Sequence, residues 1–195
     1  MKRIPMQLIA SLSASFLFLA ASSALYAQAA SDDDKHFVEA AMKGGMAEVD
    51  LGQLAVKKGV SEDVKQFGQH MVDDHTRMGE KMKAVAGEIG VKPPDMTSAS
   101  DMALKAKLEL LSGDAFDKAY ISAMVKDHED DLADFKKEAA TGSSPAVKNA
   151  ARDGETIVAR HLAMIRKIAQ AHNVSASFRK PSAGTLASVS LTGGR

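Results

Sequence analysis

The sequence predicts an all-α protein, a four-helix bundle whose second and third long helices are joined by a long crossover containing a short extra helix. Three observations carry this. Apolar residues recur at alternating steps of three and four along four stretches of about 27 residues each, the spacing that gathers one face of a helix. Gly, Pro and Ser cluster between those stretches, where helices start and stop. Cys is absent, so the fold must be held by packing or by non-thiol ligands.

Residues 1 to 29 read as a signal peptide: Lys2 and Arg3, the apolar run LIASLSASFLFLAA, and a small-x-small site at Ala27, Gln28 and Ala29. The apolar run is short and rich in Ser and Ala, and no later run approaches the roughly 20 apolar residues of a spanning helix. A charged start with an Ala-x-Ala site is bacterial in style, so the expected location is the periplasm. Cleavage leaves 166 of the 195 residues, and removing Lys2 and Arg3 leaves 23 basic against 25 acidic residues. Nucleic-acid binding, which needs a clustered basic face, is excluded as an expectation.

Residues 30 to 173 form the predicted bundle. Ser31 with Asp32, Asp33 and Asp34 opens the first helix, about 32 to 58, and Gly59 closes it. Ser61 caps the second, about 62 to 89, and Gly90 before Pro93 and Pro94 ends it. Residues 91 to 100 read as a loop, followed by a short helix from about 101 to 112 that Gly113 stops. Asp114 is the expected cap of the next helix, to about 141. Ser144 and Pro145 start the last, to about 172, with Pro at the first-turn position it tolerates. Residues 174 to 195 lack periodicity and carry Arg179, Lys180 and Arg195 without an acid. They read as a disordered tail able to touch an anionic surface.

The stripes are Phe37, Ala41, Gly44, Glu48, Leu51 and Ala55; then Val64, Gly68, Met71, His75, Met78 and Met82. The later helices offer Ile121, Val125, His128, Leu132, Phe135 and Ala139, then Val147, Ala151, Gly154, Val158, His161 and Ile165. Each stripe is interrupted near its middle by one ionisable residue: Glu48, His75, His128 and His161. His75 and His128 close the repeated strings MVDDH and MVKDH, about fourteen residues into their helices. If the crossover spans the bundle lengthwise, those helices run parallel and the four residues reach one layer.

The strings EVDLGQLA from Glu48, VKQFGQHMVDDH ending at His75, FDKAYISAMVKDH ending at His128, and Arg160, His161 and Leu162 resemble a family of exported bacterial proteins of unknown function, often labelled predicted outer-membrane proteins. The resemblance spans about residues 34 to 172 and implies a ferritin-like bundle. Its label would associate the protein with the outer membrane, although neither alternating strands nor a lipid-attachment Cys is present. Where many relatives carry Pro five residues before the last His, this chain has Thr156.

Ferritin-like di-iron sites need Glu-x-x-His on two helices. Here Val72, Val125 and Val158 precede the three His by three residues, so ferroxidase chemistry is not expected. Two readings remain. One is a single transition metal ion, Zn, Fe, Cu or Ni, held by Glu48, His75, His128 and His161, with Asp74 and Asp127 orienting the imidazoles or neighbouring groups. The other is a buried hydrogen-bond layer in a non-catalytic structural or stress-related envelope protein. Either supplies the cationic partner a buried Glu48 requires.

The remaining features read as scaffold. Met71, Met78, Met82 and Met124 are read as gap-filling core. His36, His70 and His172 are expected in solvent, and the runs SDDDK and HEDDLADFKKE as exposed faces. No nucleophile stands beside the Glu and His to define a reaction. The short crossover helix either lies on the bundle as a lid or forms a homodimer contact.

Overall fold

The computed structural model describes residues 29–175. The predicted signal peptide, up to residue 28, and the predicted tail, from residue 176, lie outside the described residues. Five helices follow in order: α1 (Asp32–Lys58), α2 (Glu62–Ile89), α3 (Ala99–Glu109), α4 (Gly113–Thr141) and α5 (Pro145–Ala171), with no strand among the described residues.

Ser side chains cap three of the five helix starts. Ser31 and Asp34 form a reciprocal capping box at the start of α1. Gly90, at φ 73°, ends α2 in the left-handed conformation that Gly adopts without a Cβ penalty. Two predicted boundaries shift. Ser98 and Asp101 form a second capping box, so α3 begins at 99 and ends at 109 instead of running from 101 to 112. Ser112, in place of the expected Asp114, is the N-cap of α4, and Gly113, at φ 62°, opens that helix instead of stopping the one before.

The two hairpins, α1 with α2 and α4 with α5, are tied together by matching carboxylates. Asp117, near the start of α4, accepts from the backbone N–H groups of Val60 at 3.1 Å and Ser61 at 2.9 Å, in the turn between α1 and α2. Asp34, near the start of α1, accepts from Ser143 at 2.9 Å and Ser144 at 3.1 Å, in the turn between α4 and α5. The start of each helix thus meets the end of the other, so α1 and α4 are antiparallel and α2 and α4 run parallel. The pattern has an internal period: Asp34 and Asp117, Gly59 and Gly142, and Ser61 and Ser144 are each 83 positions apart. The crossover carries α3 along the outside of α1 and α4, with Lys105 2.6 Å from Asp50.

Inside, two apolar clusters fill the bundle. One gathers Phe67, Met71, Phe116, Tyr120, Ile121 and Ile165; the other gathers Val38, Met78, Met82, Phe135, Val147 and Val158. α1 and α2 touch backbone to backbone where Gly52 and Gly68 oppose each other. The first half of α1 buries Val38, Met42 and Gly45 rather than the predicted Phe37, Ala41 and Gly44, a rotation of one residue. Phe37 stays partly buried with its ring edge-on to Phe135, centroids 5.1 Å apart.

Three residues read as solvent-facing are not. Asp34 is fully buried and Glu138, from the run HEDDLADFKKE, is 6% exposed. Burial and the neighbouring Asp34 push the Glu138 carboxyl up to about 7, while Asp34 is held down to about 2. Burial opposes the lowering at Asp34, but the Glu138 hydrogen bond and the N–H groups of Ser31 and Ser143 outweigh it. His172 caps the end of α5 and lies 3.0 Å from Asp63 at the start of α2. His36 and His70 are exposed.

Candidate functional site

Between the two apolar clusters lies a polar layer to which α1, α2, α4 and α5 each contribute one residue: Glu48, His75, His128 and His161. They are 2%, 1%, 0% and 0% exposed. The imidazole centroids are 5.2 Å apart for His75 and His161, 5.7 Å for His128 and His161, and 6.0 Å for His75 and His128.

The outer nitrogens of two imidazoles are committed. The Nδ1 of His128 lies 3.0 Å from the carbonyl oxygen of Met124; a carbonyl only accepts, so Nδ1 carries the proton. The Nε2 of His161 lies 2.8 Å from Asp74 and donates to that carboxylate. Burial alone would raise the Asp74 carboxyl, but the His161 N–H and the guanidinium groups of Arg160 and Arg77 hold it below the usual range. Asp74 therefore orients an imidazole across the bundle, although the imidazole belongs to α5 and not to its own neighbour His75.

The consequence is a centre with an excess of lone pairs. In their neutral forms His128 presents a bare Nε2 and His161 a bare Nδ1. The Nε2 of His128 is 3.5 Å from Oε1 of Glu48, and neither atom has a hydrogen-bond partner. The bare Nδ1 of His161 accepts from the Nε2–H of His75 at 3.2 Å. The other nitrogen of His75 lies 2.8 Å from Oε2 of Glu48 without making a hydrogen bond. Burial of acceptors without donors is costly. Burial drives the imidazoles of His75, His128 and His161 down to about 4, 3 and 4, so they are neutral near pH 7, and it raises the Glu48 carboxyl well above its ordinary range, helped by Asp127 and Asp101. A proton on Glu48 or a cation in the centre would relieve the imbalance.

Ligand-type atoms of His75, His128 and His161 lie within 4.8 Å of one another, and those of Glu48, Asp127 and His128 form a second such group sharing His128. Asp127 stands beside Glu48 and His128 as a further carboxyl, raised to about 6 first by burial and then by Asp101. Three neighbours escaped the sequence reading. Phe67 sets its ring 6.1 Å from both His128 and His161. Tyr120 buries its hydroxyl without a partner, with Glu48 close enough to raise it further. Asp131 is pushed up to about 9 by burial and then by Glu48. The available signals were spacing: Phe67 precedes Met71 by four residues, and Asp131 follows His128 by three, the side opposite to that of a Glu-x-x-His pattern.

Residues 19–168 match the family described as domain of unknown function DUF4142. The sequence matches no curated protein. Similar solved structures include a DUF305 fragment from Deinococcus radiodurans, at 18% identity and TM-score 0.62, covering 74% of this chain and 98% of that one. A candidate secreted DUF305 protein from Streptomyces coelicolor is 13% identical at TM-score 0.62, covering 73% and 95%. A two-domain protein from Anabaena variabilis, with DJ-1/ThiJ/PfpI-like and ferritin-like domains, is 14% identical at TM-score 0.55, covering 80% of this chain and 42% of that one. At these identities the likeness concerns the fold, a ferritin-like helical bundle.

Proposed function

The chain belongs to the DUF4142 family, and from that premise we propose that it is an exported protein that binds one transition metal ion within its bundle core. The observation that carries the reading is the inward convergence of bare imidazole nitrogens whose outer nitrogens are already committed to Met124 and Asp74. That division, one nitrogen to a carbonyl or carboxylate and the other to the centre, is the usual arrangement of a metal-binding His. The spacing supports it: tetrahedral ligation with bonds of about 2.0 to 2.1 Å separates ligands by about 3.3 Å, and His75 and His161 approach to 3.2 Å.

In this reading His75, His128 and His161 hold the ion and Glu48 supplies negative charge, as a ligand or from just behind His75. Neutral imidazoles suit Zn, Fe or Cu. The ion would keep Glu48 ionised; without it, a proton on Glu48 serves the same balance, and the layer becomes a hydrogen-bonded one. Export to a bacterial periplasm is supported by the N-terminal signal pattern, and no helix among the described residues is long and apolar enough to cross a membrane.

Elemental analysis of untagged periplasmic protein tests this. Near one equivalent of metal is expected, lost in His75→Ala/His128→Ala, with affinity reduced about 10- to 100-fold in Asp74→Asn. No metal in the wild type, even after reconstitution with Zn, Fe and Cu, refutes it.

A further inference from the structure

Between α1 and α2 a cavity of about 260 Å³ opens from the surface toward the polar layer, with His75 among its lining residues. Met42, Met46 and Val49 of α1 form one wall, and Pro93 and Pro94 of the crossover border it. Gly45 on α1 and Gly79 on α2 also line it, and a Cβ built on either would meet nothing within 4 Å. The space is therefore kept open by two positions without side chains.

The chemistry of the lining selects an occupant. Asp50 at the rim is paired with Lys105 at 2.6 Å, and Glu80 with Lys83 at 2.9 Å, so the rim carboxylates already have counter-charges. Apolar walls then favour an uncharged guest. Size points the same way: an apolar cavity of about 150 Å³ accommodates benzene, so the larger volume here suits one ring bearing a small substituent. Flexible thioethers such as those of Met42 and Met46 pack well against aromatic rings.

We propose that this cavity binds a small uncharged single-ring aromatic molecule, its ring against Met42, Met46 and Val49 and its polar substituent toward Thr76 at the mouth. This goes beyond metal binding and does not rest on it. The probe is phenol, titrated into metal-free full-length protein whose Met methyl groups are observed by NMR. Saturable shifts are expected at Met42 and Met46 in the wild type and in Gly87→Leu, a control on the same helix whose added side chain also enters open space. In Gly79→Leu and Gly45→Leu, which fill the cavity from opposite walls, binding should weaken at least about tenfold. Benzoate, of similar size but charged, should bind at least about tenfold more weakly than phenol. The absence of saturable shifts at these methyls, undiminished binding in the filled variants, or benzoate matching phenol would overturn the proposal. If one filled variant fails to fold, the other and the benzoate comparison decide. Because no metal is present, failure here leaves the metal reading intact, and success does not establish it.

Discussion

Replacing Gly68 with Ala should destabilise the protein by about 1 to 2 kcal/mol, from the balance of overpacking and helix propensity. An added Cβ would lie 2.8 Å from the carbonyl oxygen of Gly52, 2.9 Å from the Cβ of Ala55 and 3.2 Å from the backbone nitrogen of Val56. None of those atoms can swing aside, because each is fixed to the backbone of α1. Restoring ordinary contact of at least 3.4 Å to the carbonyl oxygen requires a displacement of roughly 0.6 Å. Overpacking of this kind costs about 1 to 3 kcal/mol, and Ala recovers up to about 1 kcal/mol over Gly in a helix interior. In a domain of this size the net effect is a fall of about 2 to 8 °C in melting temperature. Gly87→Ala, on the same helix but with nothing within 4 Å of the new Cβ, isolates the propensity and should raise the melting temperature by up to about 4 °C. Thermal melts followed by circular dichroism compare the two. A Gly68→Ala variant as stable as Gly87→Ala would refute the close approach of α1 and α2.

Two further predictions concern pH. The imidazoles of His75, His128 and His161 sit at about 4, 3 and 4 in the folded state against about 6.5 unfolded, so the unfolded chain binds more protons between those values. Metal-free protein should therefore lose stability steeply as pH falls from about 6.5 toward 4; denaturant melts showing no such loss would contradict neutral buried imidazoles. Glu138 behaves oppositely: raised from 4.5 to about 7, it stays protonated when folded after ionising in the unfolded chain, so its contribution is lost as pH rises across that window. Glu138→Gln should remove about 1 to 2 kcal/mol of this dependence, discounted for nearby solvent, and matched wild-type and variant pH profiles would refute it.

The polar layer was legible because a single His or Glu interrupting an otherwise apolar stripe stands out wherever the helix is amphipathic. The parallel course of α2 and α4 was legible from the length of the crossover. Other features depend on partners remote in the chain. Asp34 looks like one more acid in an exposed run, and only the N–H groups of Ser143 and Ser144 reveal why it is buried. The choice of Val38, Met42 and Gly45 over Phe37, Ala41 and Gly44 is likewise made by neighbouring helices, since both sets share the same period. That Asp74 orients an imidazole was legible from its place beside the layer; which imidazole was not, because it belongs to α5.

The reciprocal carboxylates make each hairpin an unfinished object. Alone, α1 and α2 would keep two turn N–H groups without the acceptor that Asp117 provides, while Asp34 would have lost its Ser143 and Ser144 donors. The same holds for α4 and α5 with the roles exchanged. A half-assembled molecule thus forfeits both caps at once, and partial order earns little of the final stability. Such wiring favours all-or-none folding: although the 83-residue period suggests two similar halves, each half caps the turn of the other.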